Sequence, residues 1–311
     1  MRHGTPNRLT GLLGTQRAVL SAPMAKVAGG RLAAAVTRGG GMGFIGGGYG
    51  DRQWIADEAA NARNCAVGIG LITWTMTEGL LDAVLGHQPR AVWLSFGDPR
   101  PHIPVIHDAG AVVVCQIGTL AEAVHAHESG ADILVAQGSG AGGHGRMAQS
   151  LIGLVPAIRT RLPDAVIVAA GGLIDISGHH AAVALGADGV ALGTRYYATH
   201  EALDSDAAKR RLIAATGDDT VVSTVYDHVR GPVWPAEYAE RTLRTPLTDR
   251  WKGREAEIAG LVDQLRAEHD YAVEHDDMTK RVVFAGDGVG AVRSVESAED
   301  VTRTFPGAEP H

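Results

Sequence analysis

One imidazole stands in a stretch otherwise built of small residues. Ala136-Gln137-Gly138-Ser139-Gly140-Ala141-Gly142-Gly143-His144-Gly145 follows directly on the apolar run that begins at Ile133. Its glycines make it a poor helix, so it reads as a strand running into a glycine-rich loop. Such a loop brings backbone N–H groups close to a flat or phosphorylated ligand. His144 can exchange a proton with that ligand, because imidazoles as a class titrate near ~6.5. A surface loop with an incidental histidine would look the same in isolation, so the rest of the chain has to discriminate. Two more glycine-bearing points repeat the pattern, Gly171-Gly172 and Gly193-Thr194. Both follow short apolar runs, and together they suit a phosphate, because glycine presents its N–H with no Cβ in the way and Thr194 adds a hydroxyl. Tight strand-to-helix turns are the plain alternative. Asp227 and His228 are also candidates, although turn and surface roles are the preferred reading for both. Cys65 and Cys115 lie in apolar runs and read as small hydrophobes in a reducing compartment, not as a disulfide or a metal pair. No metal-ligand spacing is visible, and no metal is expected.

These residues need a scaffold. Short apolar runs recur at Ala18–Met24, Met42–Gly46, Cys65–Ile72, Ala91–Phe96, Val112–Ile117, Ile133–Gln137, Ala165–Ala170 and Gly189–Gly193. Several are continuous and β-branched, as strands covered on both faces of a parallel sheet are. Helical patterns alternate with them at Gly30–Arg38, Trp54–Arg63, Thr77–Leu85, Leu120–Glu128, Gln149–Leu162 and Gly178–Leu185. Ser129-Gly130-Ala131-Asp132 and Leu185-Gly186-Ala187-Asp188 supply stop glycines after two of these. This alternation predicts an α/β chain, a (β/α)8 TIM barrel over about 18–200, with a helical cap and C-terminal extension over about 201–311 and a single domain across 1–311. A doubly wound sheet would carry Gly-x-Gly-x-x-Gly after its first strand. Ala22-Pro23-Met24-Ala25 stands there instead. Barrel chemistry sits at the C-terminal strand ends, with phosphate near the seventh and eighth strands. That places Pro23-Met24-Ala25, Gly46-Gly47-Gly48, Leu71-Ile72-Thr73-Trp74, Gln116-Ile117-Gly118, Gln137 through His144, Gly171-Gly172 and Leu192-Gly193-Thr194-Arg195 at one end. Beyond the barrel, Glu201–Ala215 and Arg254–Glu268 read as helices. The irregular stretch between them, with Tyr226, Gly231-Pro232, Trp234-Pro235 and Trp251, reads as a cap over the mouth. Arg281–His311 reads as a peripheral extension.

The chain has 311 residues, 45% of them hydrophobic and 20% charged, enough for a packed core. A formal charge of −7 argues against nucleic acid or an anionic membrane as partner. No apolar run reaches the length of a membrane span. No apolar core follows Arg2 and Arg8, so no signal peptide is expected and the protein is expected to be cytoplasmic.

The motifs, taken in order, resemble those of the nitronate monooxygenase family, formerly 2-nitropropane dioxygenases. The resemblance covers roughly Leu20 to Tyr197 and the segment around Tyr226–Trp251. It rests on Ala22-Pro23-Met24-Ala25, Gly39-Gly40-Gly41-Met42-Gly43, Ala136 to His144, Ala169-Ala170-Gly171-Gly172 and Leu192-Gly193-Thr194-Arg195-Tyr196. It implies an FMN-dependent TIM barrel. Ala22 and Met24 would flank the flavin ring, Gln137 would touch it, and Gly142, Gly171, Gly172, Leu192, Gly193 and Thr194 would hold the ribityl-phosphate end. His144 would be the catalytic base. The implied reaction takes an alkyl nitronate or nitroalkane and dioxygen to a carbonyl compound and nitrite. A homo-oligomer is left open. Two positions depart from the family pattern. Gly140 stands where a Glu is frequent, and Gly70 stands where many members carry an Asn, with Trp74 as a candidate to fill that space. The alternatives are an NAD(P)H-dependent flavin reductase acting on enoyl thioesters or quinones, a flavin binder with little catalysis, and a barrel that binds a phosphorylated metabolite without flavin.

Overall fold

The computed structural model describes residues 7–231 and 234–307. Arg2, Pro232 and His311 lie outside them. Among the described residues there are eleven strands: β1 (Val19–Ser21), β2 (Phe44–Gly46), β3 (Gly68–Ile72), β4 (Ala91–Ser95), β5 (Val112–Ile117), β6 (Ile133–Gln137), β7 (Gly143–Gly145), β8 (Val166–Ala170), β9 (Gly189–Leu192), β10 (Thr220–Ser223) and β11 (Ala239–Leu243). Eight of these form one parallel sheet in the order β1-β9-β8-β6-β5-β4-β3-β2. A parallel bridge between Leu20 and Met42 joins its first and last strands, so the sheet curls into the predicted barrel. Every predicted strand is present; Val112–Ile117 and Ile133–Gln137 match residue for residue and the other six are trimmed at their ends. The helices Gly30–Arg38 and Leu120–Glu128 fall on the predicted residues. The second begins where Thr119 accepts from the N–H of Glu122 and ends before Gly130 at φ +103°, a left-handed conformation that glycine adopts without strain.

Strand parity explains the two apolar layers, because successive side chains point to opposite faces. Leu20, Phe44, Trp93, Val114, Val135, Val168 and Ala191 point inward and fill the barrel. Phe44 meets Trp93 edge to face at 5.1 Å. Val19, Ile45, Ile69, Val190 and Leu192 point outward beneath the helices. The N-terminal helix Arg8–Leu13 adds Leu9 and Leu13 to the inner cluster, closing the end opposite the catalytic strand ends. Strand-to-helix packing is close enough to demand glycine at Gly43, where a Cβ would lie 1.9 Å from the Ala33 carbonyl oxygen. Because that neighbour is backbone, it cannot step aside. Gly43→Ala is therefore expected to cost about 3 kcal/mol, or to prevent folding, as read by urea unfolding. A loss under about 1 kcal/mol would show that the helix can shift.

Several expectations beyond the barrel are corrected. The His144 segment is not simply a loop. Gly143–Gly145 forms β7 and pairs antiparallel with β11, which also pairs with β10. Its partner strand lies nearly a hundred residues away, so no local pattern reveals the pairing. The helix expected from Glu201 begins at Asp206, capped by Ser205. The one expected from Arg254 is a 3₁₀ turn, Glu255–Gly260, followed by the helix Val262–Glu274. Nor is the tail peripheral. Gly286 and Asp287 pack on the glycine loops, and Thr302 in the helix Ala298–Arg303 lies against Gly39 and hydrogen-bonds the Tyr196 hydroxyl at 2.8 Å. Both cysteines are free; Cys115 is buried, which pushes its thiol up to about 12, and Cys65 is half-buried. No helix among the described residues is long and apolar enough to cross a membrane.

Candidate active site

One cavity of about 200 Å³ opens at the C-terminal ends of the barrel strands. Ala22, Met24, Gln137, Gly142, His144, Gly171, Gly172, Gly193 and Thr194 all line it. Leu192 does not and is a correction. Strand parity turns its side chain outward into the helix-facing core, leaving its carbonyl to accept from the Ala22 N–H at 2.9 Å.

Glycine is required at the cradle for two different reasons. Gly171 and Gly172 sit at φ +114° and +72°, where a side chain is strained. A Cβ on Gly142 would come 2.6 Å from the Gly286 nitrogen, because the C-terminal segment crosses there. Gly193 is different. A Cβ there would meet only Ala22 and Met24, at 3.7 and 3.8 Å, so its backbone opens toward the cavity between those two residues. The Thr194 hydroxyl accepts from the Gly286 N–H at 2.9 Å, leaving its own O–H free to donate. These residues fit the phosphate end of a mononucleotide.

The floor is a chain of amides. Ser95 Oγ donates to Gln116 Oε1 at 3.3 Å, Gln116 Nε2 donates to Gln137 Oε1 at 3.0 Å, and Gln137 Nε2 donates to the His144 carbonyl at 2.8 Å. The chain fixes which way each amide points, because each acceptor has a donor facing it. It also ties the His144 backbone to the barrel.

His144 is held on three sides. Its ring stacks on Trp234 at 3.6 Å and 6°. Trp234 is buried in turn among Phe96, Tyr238 and Tyr49, and donates from Nε1 to the Tyr49 hydroxyl at 3.0 Å. Burial raises the pKa of that Tyr49 hydroxyl. On the imidazole edge, Nε2 lies 2.7 Å from Asp227 Oδ1. A carboxylate can only accept, so it holds the proton on Nε2 and leaves the Nδ1 lone pair to take one. Asp227 is therefore no surface residue. It is 8% exposed and belongs to the short helix Val225–Arg230, whereas His228 is exposed as expected. Beyond Asp227 lies Glu240 of β11, 0% exposed, with Oε2 3.8 Å from the same Nε2. Burial first, and then the Asp227 charge, push the Glu240 carboxyl well above the usual carboxylate range.

The sequence reading missed Glu240, Ser95 and Phe284, and placed Gln116 only at a strand end. Glu240 stands in an ordinary strand, Ala239-Glu240-Arg241-Thr242-Leu243, and nothing local marks it. The two departures from pattern have steric reasons. A Cβ on Gly140 would lie 2.6 Å from the Asp287 carboxylate, so an acidic group from the tail fills that space. A Cβ on Gly70 would lie 2.2 Å from Pro23. It is Pro23, not Trp74, that crowds Gly70; Trp74 packs edge-on against Trp234 at 5.5 Å.

A parallel eight-stranded barrel with a glycine cradle and a histidine–carboxylate pair around one mouth belongs to the ligand-binding barrel enzymes. More narrowly, the chain belongs to the nitronate monooxygenase family, whose model matches residues 53–305. It is 35% identical to a nitronate monooxygenase of Metarhizium robertsii over 92% of this chain and 88% of that one. It is 32% identical to a nitronate monooxygenase of Neurospora crassa over 92% and 87%. Among solved structures, FabK from Thermotoga maritima superposes with a TM-score of 0.83 at 25% identity, covering 97% of this chain and 95% of that one. The protein is an oxidoreductase by family, and the family implies a flavin and a small-molecule substrate.

Proposed function

We propose that the protein binds FMN and oxidises alkyl nitronates, and neutral nitroalkanes after deprotonating them, with dioxygen to a carbonyl compound and nitrite. The observation that carries this reading is that His144 and the glycine cradle line the same cavity. Gly142, Gly171, Gly172, Gly193 and Thr194 would hold the phosphate. Ala22 and Met24 would lie along the ring, and Gln137 at its edge. A bound flavin would supply the redox chemistry between the nitronate and dioxygen. The chain supplies the proton chemistry and the positioning. A carbon α to a nitro group is acidic enough for an imidazole to deprotonate near neutral pH, and Nδ1 of His144 is the free lone pair for that task. The stacked Trp234 and its aromatic neighbours keep the ring in one orientation and limit water around it. Two nitronates and one dioxygen balance to two carbonyl compounds and two nitrites.

The test is a visible spectrum of the purified protein, repeated without air after adding a nitronate and, separately, NADH or NADPH. Yellow protein bleached by nitronate supports the reading. Bleaching by reduced nicotinamide alone would replace it with a flavin reductase acting on enoyl thioesters or quinones. A colourless protein that takes up no added FMN would overturn both. The cradle gives its own check. Gly172→Val puts a branched side chain at φ +72°, within reach of the Asp287 carboxylate. It is expected to weaken FMN binding at least about tenfold in a fluorescence titration while the barrel stays folded. Unchanged affinity would move the phosphate elsewhere.

A further inference from the structure

We propose that Glu240 is the positioning residue of this site: it holds a proton against Asp227, so that the two carboxyls together present a single negative charge to Nε2 of His144. The inference takes from the proposed function only that His144 is the base.

Topology puts the groups together. In the β7–β11 ladder Glu240 is directly opposite His144, and in the β10–β11 ladder it is opposite Ser223. Directly opposed residues share a face of the sheet, so Glu240 projects to the side occupied by the imidazole. Its Oε1 accepts from the Tyr226 N–H at 3.0 Å, one residue before Asp227. The backbone thus fixes both carboxyls. Nε2 of His144 and one oxygen from each carboxyl lie within 4.8 Å of one another.

The hydrogen-bond inventory then leaves two oxygens over. Asp227 Oδ1 is taken by His144 and Glu240 Oε1 by Tyr226, while Asp227 Oδ2 and Glu240 Oε2 are both buried with no partner among the described residues. Ionised carboxylates only accept, so two of them cannot satisfy each other, and two buried negative charges would repel. One proton between them removes both problems: the protonated carboxyl donates to the ionised one, and one charge is lost. The charged and titratable groups facing Glu240 are His144 from β7, Tyr226, Asp227 and Arg230 from the helix Val225–Arg230, and Tyr49 from the loop after β2. Arg230 opposes the negative charge but makes no hydrogen bond or ion pair with either carboxyl among the described contacts, and its guanidinium lies over the Phe284 ring. The proton falls to Glu240 because Glu240 is the more buried of the two and is pushed well above the ordinary range.

Such a pair is functional, not only stable. A single charge on Asp227 holds the Nε2 proton and steadies the imidazolium formed when Nδ1 takes a proton. A second charge 3.8 Å away would hold that proton harder and make the base slow to release it.

The test uses the full-length protein as purified, without turnover. Infrared spectra near pH 7 are expected to show a protonated-carboxyl C=O band that shifts with ¹³C-labelled glutamate and is absent from Glu240→Gln. No such band in the labelled wild type would overturn the proposal, and this arm needs no variant to fold. The His144 imidazole is then titrated by ¹⁵N NMR. Gln keeps a neutral donor toward Asp227, so Glu240→Gln is expected to move the His144 pKa by less than about half a unit. If Glu240 were ionised, removing its charge at 3.8 Å would lower that pKa by about a unit or more, and that result would sink the idea. Stability gives a further check with a definite sign. A carboxyl with a raised native pKa binds its proton more tightly in the folded state. Its contribution is complete below the unfolded value, about 4 to 5, and is lost as pH rises toward the native value. Glu240→Gln should therefore gain stability relative to wild type as pH increases through that window; a constant difference would count against a raised pKa. None of these readouts involves nitronate, so a protein that fails to oxidise nitronates would sink the proposed function and leave the proton assignment to stand or fall by itself.

Discussion

His144→Ala is expected to retain FMN and lose roughly 10²- to 10⁴-fold in turnover of neutral nitroalkanes, the usual contribution of a positioned general base. The loss should depend on the substrate. A nitronate formed beforehand has already given up its proton, so its oxidation should fall far less. The physical reason is that, although Gly142 stands two residues before it, His144 is on a different strand from Gly171, Gly172, Gly193 and Thr194. It hangs from β7 and is held by Asp227 and Trp234, so its removal leaves Gly171, Gly172, Gly193 and Thr194 undisturbed. Steady-state rates on the two forms of one nitroalkane, with flavin content measured by absorbance, decide the matter. Equal losses on both forms would assign His144 to binding or to the flavin and not to deprotonation. Loss of flavin would mean that the stacked ring supports the pocket wall.

Asp227→Asn is expected to reproduce much of that defect, roughly 10²-fold or more on neutral nitroalkanes, without touching the base itself. The aspartate can only accept, which fixes the proton on Nε2. An asparagine can turn its amide donor toward Nε2 and so favour the tautomer with the proton on Nδ1, where no lone pair is left for substrate. The geometry of the site barely changes, so flavin loading and thermal stability should stay close to wild type. Because the two residues act as one unit, the double variant His144→Ala/Asp227→Asn should be no slower than His144→Ala alone. Multiplicative losses in the double variant would mean that Asp227 acts on something other than the imidazole. Imidazole ¹⁵N shifts in Asp227→Asn report the tautomer directly, and an unchanged spectrum would also rule against this account.

The barrel was legible in the chain because its signals are local. β-Branched runs such as Val112-Val113-Val114 and Val166-Ile167-Val168, with stop glycines such as Gly130 and Gly186, specify buried parallel strands and helix ends within a few residues. Strand order then puts Gly171-Gly172 beside Gly193-Thr194, and the cradle follows from sequence and a general rule of barrel geometry. Leu192 is the exception: strand parity turns its side chain into the helix-facing core, away from the cavity.

The proton machinery could not be read in this way. Gly143-His144-Gly145 becomes a strand only when Ala239–Leu243 lies beside it, and Asp227 reaches His144 across 83 residues of chain. Asp227 and Glu240 have the composition of any exposed turn or strand. Their meaning comes from burial and from facing one imidazole, and both are properties of the packed molecule. The tail shows the same division: Gly286 and Asp287 look like a surface turn until the fold lays them over Gly140, Gly142 and Gly172. By itself, then, the sequence determined the barrel and the strand ends at which the proposed cradle and His144 stand, because hydrophobic period and glycine placement act over short range. Only tertiary structure decided which groups orient that base and share its charge, because burial and electrostatic coupling depend on distances in space between residues far apart in the chain.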